Sequence, residues 1–119
     1  MNFSSPRILL HLEGLAILTA SCAAYAEQGA SWWTFAVLFL APDLMMAGYV
    51  FGTRIGAGVY NLGHSYTAVA VFWLIGHFSH FSATVSFSLI WLAHIGFDRL
   101  LGYGLKYPTS FKDTHLDRV

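Results

Sequence analysis

Four apolar stretches, joined by connectors too short to hold another element, constrain this chain more than any other feature. They run from about Ile8 to Ala26, Trp32 to Phe51, Val59 to Phe78 and Ala83 to Tyr103. Each has the roughly 20 mostly apolar residues needed to cross about 30 Å of hydrocarbon. Glu27 to Ser31, Gly52 to Gly58 and Ser79 to Ser82 supply glycine and serine turn chemistry. Short loops make successive helices antiparallel neighbours. The expected fold is therefore an all-α membrane protein, one four-helix up-down bundle with a tail over residues 104–119. Only 10% of the residues are charged, against about 25% in soluble domains.

The first stretch imitates a secretory signal, with Arg7 ahead of it and Ala24-Tyr25-Ala26 as a small-x-small site. His11 and Glu13 interrupt the apolar region such a signal needs, and cleavage would leave an odd number of spans. It reads as a retained helix.

Under this topology all six Lys and Arg fall on one side: Arg7, Arg54, Arg99, Lys106, Lys112 and Arg118. The positive-inside rule makes that side cytoplasmic, so both termini are expected there in a bacterial inner membrane. Trp32 and Trp33 open the second stretch at the opposite interface, where amphipathic rings prefer to lie. Zero net charge and the lack of a basic run argue against nucleic-acid binding. The single cysteine, Cys22, excludes an internal disulfide and a cysteine-based zinc site; it reads as a packing residue among small neighbours.

Ionisable side chains inside a bilayer cost roughly 2.5–3.5 kcal/mol each on insertion scales and usually face a bundle interior. Here they agree in depth. Glu13 lies near the cytoplasmic start of the first stretch and Asp43 in the descending half of the second. Asn61 and His64 begin the third, and His94 and Asp98 end the fourth. At a rise of 1.5 Å per residue, all fall within about 15 Å of the cytoplasmic boundary. Asn61 and His64 are three apart and His94 and Asp98 four apart, so each pair shares a helix face. Pro42, just before Asp43, removes a backbone hydrogen bond and breaks the second helix.

Carboxylates and imidazoles from facing helices suit a divalent metal ion, the candidate cofactor, with Asp43, His64 and His94 as its ligands. Such an ion activates water for attack on a lipid ester or phosphate. Without it, paired carboxylates in unlike environments can serve as acid and base. Glu13, Asp43, His64 and His94 are the candidate catalytic residues, with Asn61, Asp98, Tyr60 and Tyr103 in support. The spacing matches no named metal motif. The plain alternative is a hydrogen-bonded network that glues the helices, with Asp98 paired to Arg99 or Arg54. A four-helix protein has little need of so many polar groups for glue, which favours a functional pocket. His77 and His80 read as interfacial loop histidines at the opposite end.

After the fourth stretch, Gly102, Gly104 and Pro108 end the helix. Lys106, Tyr107, Phe111 and Lys112 suit a segment lying on the membrane face. Asp113 and His115 could then fold over the mouth of the cluster, a basic anchor being the simpler alternative.

The tail run G-Y-G-L-K-Y-P-T-S-F-K-D-T-H-L carries a resemblance, as do Ala41-Pro42-Asp43 and the Y-N-L-G-H of Tyr60 to His64. The chain resembles a family of small four-helix bacterial integral membrane proteins known only as a domain of unknown function. The resemblance covers the whole chain and implies a four-span inner-membrane protein, with no activity or catalytic residue to carry over.

The expected function is a membrane-embedded enzyme, metal-dependent or acid/base, acting on a lipid or isoprenoid-like substrate from the cytoplasmic side. Membrane lipid is the expected partner. The alternative is a non-enzymatic accessory subunit of a larger membrane complex, or a small oligomeric transporter.

Overall fold

The apolar run after Pro6 forms α1 (Ser5–Gln28), which ends at Gly29 with φ +70°. Ser31 then caps α2 (Trp32–Leu38), its Oγ accepting the Trp33 N–H at 3.1 Å. The computed structural model describes residues 5–119, and among these the chain is helical with no strand. Pro42 has no N–H to continue α2. The chain tightens there into a 3₁₀ helix, Ala41–Phe51, in which the Asp43 N–H donates to the Leu40 carbonyl at 3.0 Å. Then come α3 (Thr53–Gly63), α4 (Tyr66–Phe78), α5 (Ala83–Leu101) and the short α6 (His115–Arg118).

Two segments, Ser5–Gln28 and Trp32–Phe51, are long and apolar enough to cross a membrane. The stretch 59–78 is not one helix. It comprises the end of α3 and all of α4, broken at His64-Ser65. Gly63 ends α3, His64 leaves the helix at φ −123°, and Ser65 restarts it, its Oγ accepting the Ala68 N–H at 3.2 Å. A break strands carbonyls that need donors. Trp91 Nε1 on α5 donates to the Gly63 carbonyl at 2.6 Å, and Arg99 Nη2 to the His64 carbonyl at 2.8 Å.

α5 is central, packing against both α1 and α4, while the 3₁₀ helix packs along α3. The α1–α5 crossing is close because glycines meet there. A Cβ on Gly96 would sit 2.8 Å from the Gly14 carbonyl oxygen and from the Leu18 nitrogen. Gly102, left-handed at φ +101°, ends α5 and turns the chain into the tail. The tail folds back on α3: Asn61 Nδ2 donates to the Lys106 carbonyl at 2.8 Å and its Oδ1 accepts the Lys106 N–H at 2.6 Å.

Candidate metal centre

Three broken or capped elements deliver four side chains to one point. Asp43 comes from the first turn of the 3₁₀ helix that Pro42 starts, and His64 from the break after α3. His94 and Asp98 come from successive turns of α5. His64 Nε2 lies 3.0 Å from Asp43 Oδ1, 3.4 Å from Asp98 Oδ2 and 3.1 Å from His94 Nε2. His94 Nε2 lies 3.2 Å from Asp43 Oδ1 and 3.3 Å from Asp98 Oδ2. One ligand atom from each of the four falls within 4.8 Å of all the others.

Five of the six edges of this figure thus measure 3.0 to 3.4 Å. The sixth, between the two carboxylates, falls within 4.8 Å. A regular tetrahedron with an edge of about 3.2 Å has corners about 2.0 Å from its centre, the length of zinc bonds to imidazole nitrogen and carboxylate oxygen, and the corners move outward as one edge opens. Proton chemistry points the same way. His64 Nδ1 is 2.9 Å from the Tyr60 carbonyl, which can only accept, so the proton of the neutral ring belongs on Nδ1. Its Nε2 then offers a lone pair toward Asp43 Oδ1, Asp98 Oδ2 and His94 Nε2. A divalent cation between them would accept that lone pair and balance the two carboxylates. The bond from His64 Nδ1 to a backbone carbonyl is also the usual way a ligating histidine is oriented.

His64 and His94 are buried, at 0% and 1% exposure. The Tyr60 ring stacks on His64 with centroids 3.8 Å apart, and Phe39 packs edge-on against His94 at 5.4 Å. His94 Nδ1 is buried without a hydrogen bond of normal geometry, with the Phe39 backbone on that side. Asp43 is the opening: its side chain is 32% exposed, against 12% for Asp98. An apolar cavity of about 400 Å³ is lined by chain neighbours of the centre, though by none of its four residues. Pro42 and Gly63, which line it, precede Asp43 and His64 in the chain, and Ile90 and Trp91 lie one turn before His94.

Of the residues singled out in the sequence, Asp43, His64 and His94 meet here, and Asp98 joins them as an equal corner. Tyr60 supports the centre by stacking. Glu13 does not reach it; it is exposed on α1 and lines a separate cavity with Arg99 and His115. Asn61 holds the tail instead of orienting the cluster. The Tyr103 side chain is exposed, and only its backbone takes part, its N–H donating to the Asp98 carbonyl at 2.7 Å. Asp113 pairs with Arg118 and accepts from Thr109, and His115 Nδ1 accepts the Leu105 N–H at 2.8 Å. His77 stacks on Trp73 at the end of α4, outside the cluster.

Arg99 and Trp91 position the centre without having been singled out for that role in the sequence. Arg99 spans two carbonyls, those of His64 and Tyr103, and forms no ion pair with Asp98. A cation buried in the last turn of an apolar helix was the available signal. Searches of curated proteins and of solved structures returned no match. The family described as Domain of unknown function (DUF4260) matches residues 7–119, and the chain belongs to it.

Proposed function

We infer that this chain is a four-span membrane metalloenzyme. In this reading Asp43, His64, His94 and Asp98 surround one divalent cation on the cytoplasmic side, and the substrate is a lipid-type ester, phosphate or isoprenoid-like molecule. The observation that carries it is the 3.1 Å approach of two imidazole Nε2 atoms, both also 3.0 to 3.4 Å from two carboxylate oxygens. Catalytic zinc sites keep one corner open to water or substrate, whereas structural sites close all four. Asp43 is the most exposed corner, so it is assigned to the exchangeable position, where its carboxylate would hold the cation or take a proton. His64, His94 and Asp98 are the permanent ligands. A cation held there would lower the pKa of bound water and polarise a carbonyl or phosphoryl oxygen.

The membrane reading draws on two segments long and apolar enough to span. It also draws on their outward apolar surface: Leu44, Val50 and Phe51 are each at least 74% exposed. The apolar cavity lined by Pro42 and Gly63, the residues before Asp43 and His64, suits a lipid chain.

Elemental mass spectrometry on the detergent-purified protein tests the assignment. Wild type carries about one divalent metal per chain. His94→Ala and Asp98→Ala lose it, while Asp43→Asn keeps most of it and loses turnover of lipid esters. Folded wild-type protein without metal after growth in zinc-, iron- and manganese-supplemented medium removes the reading.

A further inference from the structure

Buried charges ordinarily have an opposite charge beside them. Arg99 is 6% exposed, yet its guanidinium donates only to the His64 and Tyr103 carbonyls, at 2.8 and 3.0 Å. Among the described residues, no carboxylate lies within ion-pair distance of it. It lines a cavity of about 340 Å³ bounded by α1, the start of α4, the end of α5 and the tail. That is within the size range of small-ligand sites, roughly 300–1,000 Å³.

The rest of the wall is rich in donors. Ser65 Oγ already accepts the Ala68 N–H, so its own hydroxyl proton is left to donate. His115 Nδ1 accepts the Leu105 N–H, so the neutral ring carries its proton on Nε2. Thr67 adds a hydroxyl. Against these stands one acid, Glu13, on the same cavity and not ion-paired with Arg99. A simple anion would meet Glu13, and a simple cation would meet Arg99. A ligand carrying both charges satisfies both walls.

We propose that this cavity binds a zwitterionic headgroup in which a phosphate and a primary ammonium lie a few bonds apart, the phosphate on Arg99, Ser65 and His115 and the ammonium on Glu13. Such a group occurs both on membrane phospholipids and on water-soluble aminoalkyl phosphates. The site is one residue from the metal centre on two sides, since Ser65 follows His64 and Arg99 follows Asp98. The four side chains of the centre do not line this cavity, so the headgroup is held at a site of its own on the membrane protein, joined to the centre through α5 and the break after α3. The inference rests on the membrane reading above, but binding here does not require the metal.

The test uses full-length protein in maltoside micelles after chelator treatment, read by native mass spectrometry. The probes are dihexanoyl phosphatidylethanolamine, dihexanoyl phosphatidylglycerol and free O-phosphoethanolamine. The ethanolamine lipid should bind at least about tenfold more tightly than the glycerol lipid, a margin of about 1.4 kcal/mol. Glu13→Gln should erase that preference, and Arg99→Lys should weaken both lipids. Where Arg99→Lys fails to fold, Glu13→Gln decides alone, because Glu13 is exposed on α1. Free O-phosphoethanolamine binding as tightly as its lipid supports the site with a soluble ligand; lipid binding alone supports it with a membrane source. Equal binding of the two lipids, or a preference that survives Glu13→Gln, overturns the proposal. Because the protein is chelated, either result leaves the metal assignment standing, and absence of metal leaves this one standing.

Discussion

The Gly63 carbonyl is the last of α3, and the Trp91 indole N–H that meets it at 2.6 Å keeps the break beside His64 satisfied. Trp91→Phe keeps an aromatic ring and removes only that donor. Leaving a buried carbonyl unpaired costs about 1–3 kcal/mol. The variant should lose that much stability in detergent unfolding and bind metal more weakly, because His64 loses its fixed exit from α3. Unchanged unfolding and unchanged metal content would show that the break is held by Arg99 and Ser65 alone. The same residues show what a sequence discloses. Asp43, His64, His94 and Asp98 stood out because ionisable groups at one depth in apolar stretches are rare and costly. Glu13 and Asn61 share that depth yet face elsewhere. Depth follows from counting residues along a helix, whereas facing depends on how each helix is rotated. α1 packs on α5 through Gly14, and that contact leaves Glu13 on the exposed side.

At the scale of elements, one break was legible and another was not. Pro42 announces the end of α2 because its missing N–H cannot be replaced. The break at His64-Ser65 has only a glycine followed by a capping serine inside an apolar run, a pattern that an unbroken helix also tolerates. What decides it is tertiary: Trp91 and Arg99 supply the donors that make an interrupted helix affordable. The tail is a further element with its own titration. His115 holds Leu105 in both directions, its Nδ1 accepting the Leu105 N–H and its backbone N–H donating to the Leu105 carbonyl at 2.9 Å. Burial, and then the nearby Arg99 charge, pull the His115 imidazole below its ordinary range. A base that resists protonation only when folded contributes stability above its unfolded pKa of about 6.5, and that contribution fades as pH falls below it. Asp113 responds elsewhere on the scale. Arg118 and Thr109 hold its carboxyl down at about 2, so its share is lost only below the ordinary value of about 4. Between pH 6.5 and 4, amide-exchange protection factors across Leu105–Leu116 should therefore fall, by up to about tenfold per pH unit. His115→Gln should flatten that profile. A tail whose protection is unchanged by pH, or whose pH dependence survives His115→Gln, would place the effect in another group.

At the scale of the whole molecule, the decisive quantity is where the apolar surface points. A core helix of a soluble domain buries its apolar side chains, but the most apolar window of Trp32–Phe51 is only 6% buried and that of Ser5–Gln28 only 17%. Leu40, Leu44 and Val37 on the same segment are 62%, 77% and 74% exposed. Surface of this kind is stable in hydrocarbon and a liability in water. Hydropathy made that visible in the sequence, because a long apolar run needs no knowledge of the fold. The sidedness rests on a different argument, the placement of the basic residues. Arg54 and Lys112 are exposed and fall on the basic side of the proposed topology, whereas Gln28 is exposed at the far end of α1 beside a connector without a basic residue. In a Cys22→Ser background, which leaves no other thiol, Gln28→Cys and Lys112→Cys report on the two sides separately. A membrane-impermeant maleimide applied to intact bacterial spheroplasts should modify Gln28→Cys and leave Lys112→Cys untouched until the membrane is opened. The inverse pattern would place the tail, Arg99 and the metal centre on the outer side, and with them the direction from which a substrate enters. Modification of both without opening the membrane would put Gln28 and Lys112 on one side and overturn the four-span topology.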